Sequence, residues 1–301
     1  MISIVIPARN AAASIGVTLS SLVTDKALIG EILLIDDGSE DDTVARARDT
    51  ARAHELPLKV TSIRLGNAGA ARNAGLAQVQ GDYVFFLDAD DELIPGSLGR
   101  LEQELRRNPA ASLAIGAFVR RSQNRADVVK LPSHYGADRQ ANARNYLQNR
   151  VSSIAVGSAL LDFSKVSDIR FATCLVLDED TCYWAAVLTR VNVVTIDDTV
   201  MVYNVNEDRM IDRFATESQA RLLLVALEFK KLLAFGIDRA TTQWRKAWLG
   251  QRMVRMLIRR GRYREAARMM RVVRAHGAFR WSVRSIRYRA AIAAGRGKPI
   301  D

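Results

Sequence analysis

Cysteine is nearly absent: Cys174 and Cys182 are too few for a disulfide framework, and no CxxC pair signals zinc. That usage suits a reducing compartment. Histidine is equally sparse, and His54, His134 and His276 stand at no ligand spacing from one another, so no histidine chemistry is expected. No apolar run reaches the roughly 18 residues of a membrane-spanning helix; the nearest is 222–227, with a short continuation after Lys231. Met1 passes straight into ISIVIP without a basic and apolar leader, so export through a signal peptide is not expected. Also missing are the GxSxG elbow of serine hydrolases and a GxGxxG fingerprint after the first strand. What is present excludes disorder, since 49% of the residues are hydrophobic and 26% charged. The 301 residues suit one α/β catalytic domain with an appendage.

Acid is scarce in one place, the C-terminal end. From residue 239 onward, 18 Lys and Arg face only Glu265 and Asp301, so the net charge of +11 resides there and the preceding residues are net acidic. Such segregation points to an anionic partner: a phospholipid surface, a pyrophosphate-linked lipid or an acidic polymer. Arg252, Arg255, Arg259 and Arg262 would line one face of a helix and Leu249, Met253, Met256 and Leu257 another. Trp244 and Trp248 would share a side, either in a membrane interface, against the catalytic domain or as core between helices. A second helical segment, 263–275, carries Arg264, Arg268, Arg271 and Arg274, and a third is expected over 281–292. Each basic residue near an anionic leaflet contributes about 1 kcal/mol. The expected location is therefore cytoplasmic, peripheral at the inner face of the plasma membrane. No nucleic-acid module accompanies the charge, which disfavours nucleic acid as the partner.

Residues 2–6 form a short β-branched run that stops at Pro7, and Ile15, Leu19 and Leu22 recur at helical spacing after it. A second apolar run, 31–35, ends at Asp36 and Asp37 and precedes an expected helix over 39–54 with acids in its first turn. A third strand is expected over 58–64, a helix through Arg72 and Leu76, and a fourth strand over 83–87, ending at Asp88. Apolar strands alternating with helices imply an α/β fold around a parallel sheet covered on both faces. In open sheets of this kind ligands bind beyond the carboxyl ends of the strands, where both acidic clusters fall. A helix over 96–107 and a strand over 111–119 then precede a polar stretch, 123–150, which reads as a loop or lid with a short helix near 142–149. A strand over 154–161, a helix over 181–190 and two strands over 191–196 and 199–203 follow. The expected division is a catalytic domain of residues 1–212 and a helical basic region of 213–301, with helices from about Thr216.

Five segments stand in order: IVIPARN at 4–10, LIDDGSEDDT at 34–43, AARNAGL at 70–76, FFLDADDELIPGSL at 85–98 and LDED at 177–180. Together they resemble the family 2 glycosyltransferases over roughly residues 1–205. The resemblance implies an inverting, hexosyltransferase-like enzyme of GT-A type. Its fold would be a Rossmann-like, mixed and mainly parallel sheet flanked by helices, here with a basic helical C-terminal extension.

The chemistry of the segments agrees with that resemblance. A nucleotide diphosphate sugar presents a base, a ribose and two phosphates, so its site needs directional acceptors and a hard cation, Mn2+ or Mg2+. By resemblance, Asp37 accepts a hydrogen bond from the base and Asp36 shapes the turn, with Pro7 and Asn10 in the same donor-binding set. The alternative is that both aspartates cap the next helix. Asp88-Ala89-Asp90 resembles a DxD motif, with one carboxylate toward the ribose or a metal-bound water and Asp90 on the metal; a surface turn is the alternative. Arg72 and Asn73 resemble an ARN motif whose arginine approaches the base or phosphates. The segment 66–71 is one or two residues shorter than the usual family loop, and an ion pair with a core carboxylate is the alternative role for Arg72.

An inverting transfer needs a base for the acceptor hydroxyl. Asp180 takes that role by resemblance of Glu179-Asp180 to the family's ED motif, and Glu179 binds acceptor hydroxyls or orients the base. A helix cap is the alternative for Asp180. The implied partners are a UDP-sugar donor and a saccharide or lipid-linked saccharide acceptor in surface polysaccharide or glycolipid assembly. Donor choice is expected to depend on side chains around Ala89, Asp91, Ser158 and the 123–150 stretch. A protein that binds the nucleotide sugar without turning it over is the alternative function.

Overall fold

The computed structural model describes residues 1–122, 125–175, 178–205, 228–275 and 283–295. Two compact units divide the chain, Met1–Val205 and Asn206–Asp301. The expected domain boundary near 212 and the helix start at Thr216 lie outside the described residues, as do Leu177 of the LDED segment, His276 and the 222–227 run.

The first unit opens with β1 (Ile2–Ala8), α1 (Ile15–Ser20), β2 (Ile29–Asp37), α2 (Thr43–Ala53), β3 (Leu58–Ile63), α3 (Ala68–Leu76) and β4 (Tyr83–Phe86). These strands are parallel neighbours, β2 pairing with both β1 and β3 and β1 with β4. Ile2, Ile4, Val5 and Ile6 of β1 and Ile32 to Ile35 of β2 are buried, as strands covered on both faces require. β1 runs through Pro7 to Ala8. Its pairing with β4 ends at Val5 opposite Phe86, so the missing proline N–H falls beyond that ladder, while Pro7 still faces Ile35 of β2. Gly75 lets α3 close onto β1, since a Cβ there would lie 2.4 Å from Val5 Cγ1.

The unit continues with β5 (Glu92–Leu93), α4 (Ser97–Arg107), β6 (Leu113–Ser122), β7 (Arg125–Lys130), α5 (Arg139–Leu147), β8 (Ala159–Asp162), α6 (Glu179–Leu188) and β9 (Val193–Val205). Among the described residues nine strands make one sheet in the order β3-β2-β1-β4-β8-β6-β9-β5, with β7 on β6. By paired residues it is mixed and mainly parallel, the antiparallel pairs being β4–β8, β6–β8, β6–β7 and β5–β9.

Four local expectations change. The polar stretch after 123 is not a plain loop, because 125–130 form β7 as the second arm of a hairpin with β6, and α5 begins at Arg139. Every residue of β7 is exposed, so no alternation betrays the strand. The two closing strands are one, β9, in which a bulge opposite Gly116 and Ala117 takes up the exposed Asp197 and Asp198. Asp36 and Asp37 are the last residues of β2, and α2 starts only at Thr43, with no acid in its first turn. The strand expected from 154 is the shorter β8, after a 3-10 turn over Val156–Ser158.

The second unit holds α7 (Arg239–Arg259), α8 (Tyr263–Ala275) and α9 (Val283–Gly295). Asp238 caps α7 by accepting from Thr241 N. Gly261, at φ +69, breaks α7 from α8, so Arg262 leaves the arginine row of α7. Leu249, Met253, Met256 and Leu257 are buried as the pattern predicts. Trp248 is half-buried, with the guanidinium groups of Arg245 and Arg252 at 4.6 Å and 5.4 Å from its ring centroid. No helix among the described residues is long and apolar enough to cross a membrane.

Candidate active site

The carboxyl ends of β1, β2 and β4 lie side by side, and the expected site residues follow them. At the end of β2, Asp36 Oδ1 accepts from Ser39 N at 3.2 Å, which shapes the DDGS turn, and Gly38 takes the positive φ of +71 that the turn requires. Neither aspartate caps α2, whose N-cap position is Asp42. Asn10, at the end of β1, locks onto the same turn: its N–H donates to Ser39 Oγ at 3.0 Å and its Oδ1 accepts from Glu40 N at 2.8 Å. Asp37 is buried and accepts three backbone N–H groups, Leu65 at 2.6 Å, Gly66 at 2.9 Å and Asn67 at 2.8 Å. Burial works to raise its pKa, but those donors and the charge of Arg9 hold it below the ordinary value. Its carboxylate thus builds the β3–α3 loop, the segment whose shortness stood out in the sequence.

That loop launches α3. Asn67 caps the helix by accepting from Ala70 N, while its Nδ2 donates to Leu175 O at 2.6 Å. One turn later Asn73 exchanges two hydrogen bonds with the backbone of Phe171, at 2.9 Å and 2.8 Å. Gly69 lets this segment approach, since a Cβ there would sit 2.8 Å from Ala172 O. The segment 171–175 is thereby fastened to α3 just ahead of α6.

Between these anchors lies Arg72, with only 3% of its surface exposed. Its Nη2 donates to Asp88 Oδ1 at 2.7 Å and its Nη1 to Glu179 Oε1 at 3.1 Å, and its guanidinium sits 5.2 Å from the centre of the Phe171 ring. Its Nε is buried and has no hydrogen-bond partner among the described residues. Burial disfavours the charge on Arg72, but Asp88, Glu179 and, less closely, Asp180 more than reverse that. Beneath it Phe171 stacks on Tyr183 at 4.0 Å, and Phe86 meets both edge-on. Arg72 does pair with partly buried carboxylates, and these are the two motif acids, 16 and 107 residues away along the chain.

The turn after β4 is held from both sides. Ala89 O accepts from Ser14 Oγ at 2.8 Å and Thr18 Oγ1 at 3.0 Å, so Ala89 packs its carbonyl against α1. On the other side Asn204 of β9 donates its backbone N–H to Asp91 Oδ1 at 2.9 Å. Its Nδ2 donates to Asp90 O at 2.8 Å and Glu92 Oε1 at 3.3 Å. Asp90 is exposed and Asp88 half-buried, whereas Asp91 is buried. Burial and the neighbouring charges of Asp88 and Asp90 push the Asp91 carboxyl up to about 9, against the pull of Asn204 and Arg72.

Glu179 and Asp180 are the first two residues of α6, inside the helix instead of ahead of it, and Asp178 occupies the N-cap position in the left-handed region. Burial and the charge of Asp180 push Glu179 up to about 7 although Arg72 opposes them. The fold therefore brings Arg72, Asp88, Glu179 and Asp180 into one electrostatic cluster. Asp37, Asp36 and Asn10 order the adjacent loops, and Pro7 continues β1 toward them. Ser158 is buried and bonds locally to Ala155 O.

Among the described residues no three His, Cys, Asp or Glu side chains are grouped to hold a metal by themselves. A hard cation such as Mg2+ is commonly held by one or two carboxylates together with substrate phosphates, and an exposed Asp90 beside a half-buried Asp88 fits that donor set. Asn204 is a site residue that sequence reasoning missed. It belongs to no motif, and its contacts follow from the register of β9.

A model of the family described as glycosyl transferase family 2 matches residues 3–170, more than half of the chain. The chain belongs to glycosyl transferase family 2. Among curated relatives of this family 2 chain is the amylovoran biosynthesis glycosyltransferase AmsB of Erwinia amylovora. It is 39% identical over 95 residues, 30% of this chain and 31% of the relative. The alignments span between 25% and 40% of the curated relatives' own lengths. S. aureus TarS 1-349 in complex with UDP-GlcNAc superposes with a TM-score of 0.64 at 19% identity, covering 82% of this chain and 70% of that one. The mannosyltransferase PcManGT from Pyrobaculum calidifontis, in complex with GDP-Man and Mn2+, gives 0.56 at 16% identity over 98% and 85%. These likenesses show the fold, the mixed α/β architecture of GT-A glycosyltransferases.

Proposed function

We propose that this chain transfers a sugar, with inversion, from a nucleotide diphosphate donor to an acceptor hydroxyl. The observation that carries the reading is Arg72, whose buried guanidinium joins Asp88 to Glu179 at the carboxyl edge of the sheet. One cation thus gathers the acid that follows β4 and the acid that opens α6, so donor and acceptor functions can share one pocket.

The residues take separate roles. Asn10, Asp36 and Asp37 set the loops that meet the base, with Pro7 at the end of β1 and Ala89 fixing the turn under the ribose. Asp88 and Asp90 would hold Mn2+ or Mg2+, which supplies charge neutralisation for the departing diphosphate. Asp180, in the first turn of α6, takes the acceptor proton as the acceptor oxygen bonds to the anomeric carbon, and the bond from that carbon to the diphosphate breaks on the opposite face. Glu179, tied to Arg72, orients the acceptor beside it. A uridine donor is the first choice, supported by the UDP-GlcNAc complex of TarS, and GDP the second, supported by the GDP-Man complex of PcManGT. Surface polysaccharide or glycolipid assembly is the setting that the amylovoran relative supports.

A thermal-shift panel of UDP, GDP, CDP and dTDP sugars, with and without Mn2+, tests this on wild type and Asp90→Asn. A donor at 100 times its dissociation constant should stabilise the fold by about 2.7 kcal/mol. Metal-dependent stabilisation by one nucleotide class, lost in Asp90→Asn, is expected; a folded wild type that ignores every donor would sink the reading.

A further inference from the structure

The C-terminal unit presents a cationic face that no acid balances among the described residues. The exposed positions of α8 are four arginines, Arg264, Arg268, Arg271 and Arg274, and none forms an ion pair or hydrogen bond among the described residues. The one acid of the helix, Glu265, is taken by Arg262, whose Nε donates to it at 2.6 Å. Ala266, Met269 and Val273 are buried on the opposite face. α7 packs tightly there, because a Cβ on Gly250 would come within 2.5 Å of Val273 Cγ2. The arginines are therefore fixed outward. Like charges three and four residues apart destabilise a helix, so the row opposes folding unless something anionic meets it.

We propose that the arginine face of α8 docks this protein on an anionic phospholipid bilayer. The row spans eleven residues, about 15 Å of helix. A helix lying flat would bring all four charges within the Debye length of about 8 Å that a charged surface commands at physiological salt. α9 adds an exposed Ile286 beside an exposed Arg287, and an apolar side chain next to a cation suits the headgroup boundary. Nucleic acid fits less well. Sequence-tolerant binding to single strands uses aromatic stacking, and the exposed positions of α8 carry no aromatic side chain. The inference stands independently of the catalytic reading.

Co-sedimentation of the full chain with phosphatidylcholine vesicles, with and without phosphatidylglycerol, tests it. Binding is expected only with the anionic lipid and should weaken as salt rises. Each Arg→Gln replacement among the four should lower partitioning about fivefold, the equivalent of about 1 kcal/mol. Arg264→Gln, Arg268→Gln, Arg271→Gln and Arg274→Gln together should abolish binding while the fourfold Arg→Lys variant retains it. If the fourfold Gln variant does not fold, the four single variants carry the test. Wild type that ignores anionic vesicles, Gln variants that bind like wild type, or a DNA duplex that strips the protein from the vesicles would each overturn the proposal.

Discussion

Buried and half-buried carboxylates at opposite ends of the sheet's strands are treated differently. At the amino end, Glu31 of β2 accepts from Ser3 Oγ at 2.7 Å, Lys59 Nζ at 2.8 Å and Gln80 N at 2.8 Å. Burial works to raise its pKa, and these donors bring it below the ordinary value. At the carboxyl end Asp88 and Glu179 share one guanidinium, and Asp91 has the backbone N–H of Asn204. There burial prevails at two of them, pushing Glu179 up to about 7 and Asp91 to about 9, whereas Asp37, with its three backbone donors, stays below its ordinary value. A fold built for stability alone would supply donors to every one of these carboxylates, as it does to Glu31 and Asp37. Carboxylates left short of donors beyond the carboxyl ends of strands are what the proposed active site requires.

The heaviest blow to that contrast would come from Arg72→Met. It removes the guanidinium that, among the described residues, pairs with both Asp88 and Glu179, and breaking a buried ion pair by deleting one partner costs about 3–5 kcal/mol. Urea unfolding of the purified chain near neutral pH should show that loss. Arg72→Lys should recover part of it, because one ammonium replaces a fork that spans both acids. A loss under about 1 kcal/mol would mean that the cluster does not depend on its cation.

Glu31→Gln and Glu179→Gln sharpen the comparison through pH. Glu31 has a folded pKa below the ordinary 4.5, so its contribution is complete above that value and is lost as the pH falls through the folded pKa. Glu179 has a folded pKa near 7, so its contribution is complete below 4.5 and is lost as the pH rises toward 7. At neutral pH Glu31→Gln should cost about 1.5–3 kcal/mol, the value of hydrogen bonds to a charged acceptor. Lys59 is more than half exposed, so Ser3 and Gln80 supply most of that. Glu179→Gln should instead gain on wild type as the pH rises from 4.5 to 7, by at most about 1.4 kcal/mol per pH unit. Parallel pH profiles for the two variants would erase the distinction between the two ends.

Much of the parallel half of the fold was legible because β1, β2 and β4 are apolar runs buried on both faces, which leave an unbroken signal. β7 left none, since all six residues face water, and the bulge in β9 disguised one strand as two. α2 starts late because Asp41 draws the preceding turn together, accepting from Ala12 N and Thr43 N. At the site, residue types were legible and their partners were not. Arg72 reads as a cation in a motif, but its choice of Asp88 and Glu179 depends on how α3 and α6 are brought together by Asn67 and Asn73. Glycine spacing hints at that approach only after the fact, through the carbonyl that Gly69 admits.

Asn204 makes the finest test, because it touches the acidic turn without belonging to any acidic motif. Its side chain reaches Asp90 O and Glu92 Oε1 while its backbone holds Asp91, so Asn204→Ala removes two of three ties and leaves the β9 ladder whole. Residues that orient metal ligands from behind are worth about 10–100-fold in metal affinity. The variant should melt close to wild type without ligands, yet need about tenfold more Mn2+ for half-maximal stabilisation by the donor. Asn204→Asp, which keeps the shape but offers oxygen where Asp90 O and Glu92 need a donor, should be worse than alanine. An unchanged Mn2+ requirement would assign Asn204 to the strand alone, whereas a wild type with no Mn2+ response would fault the donor site itself.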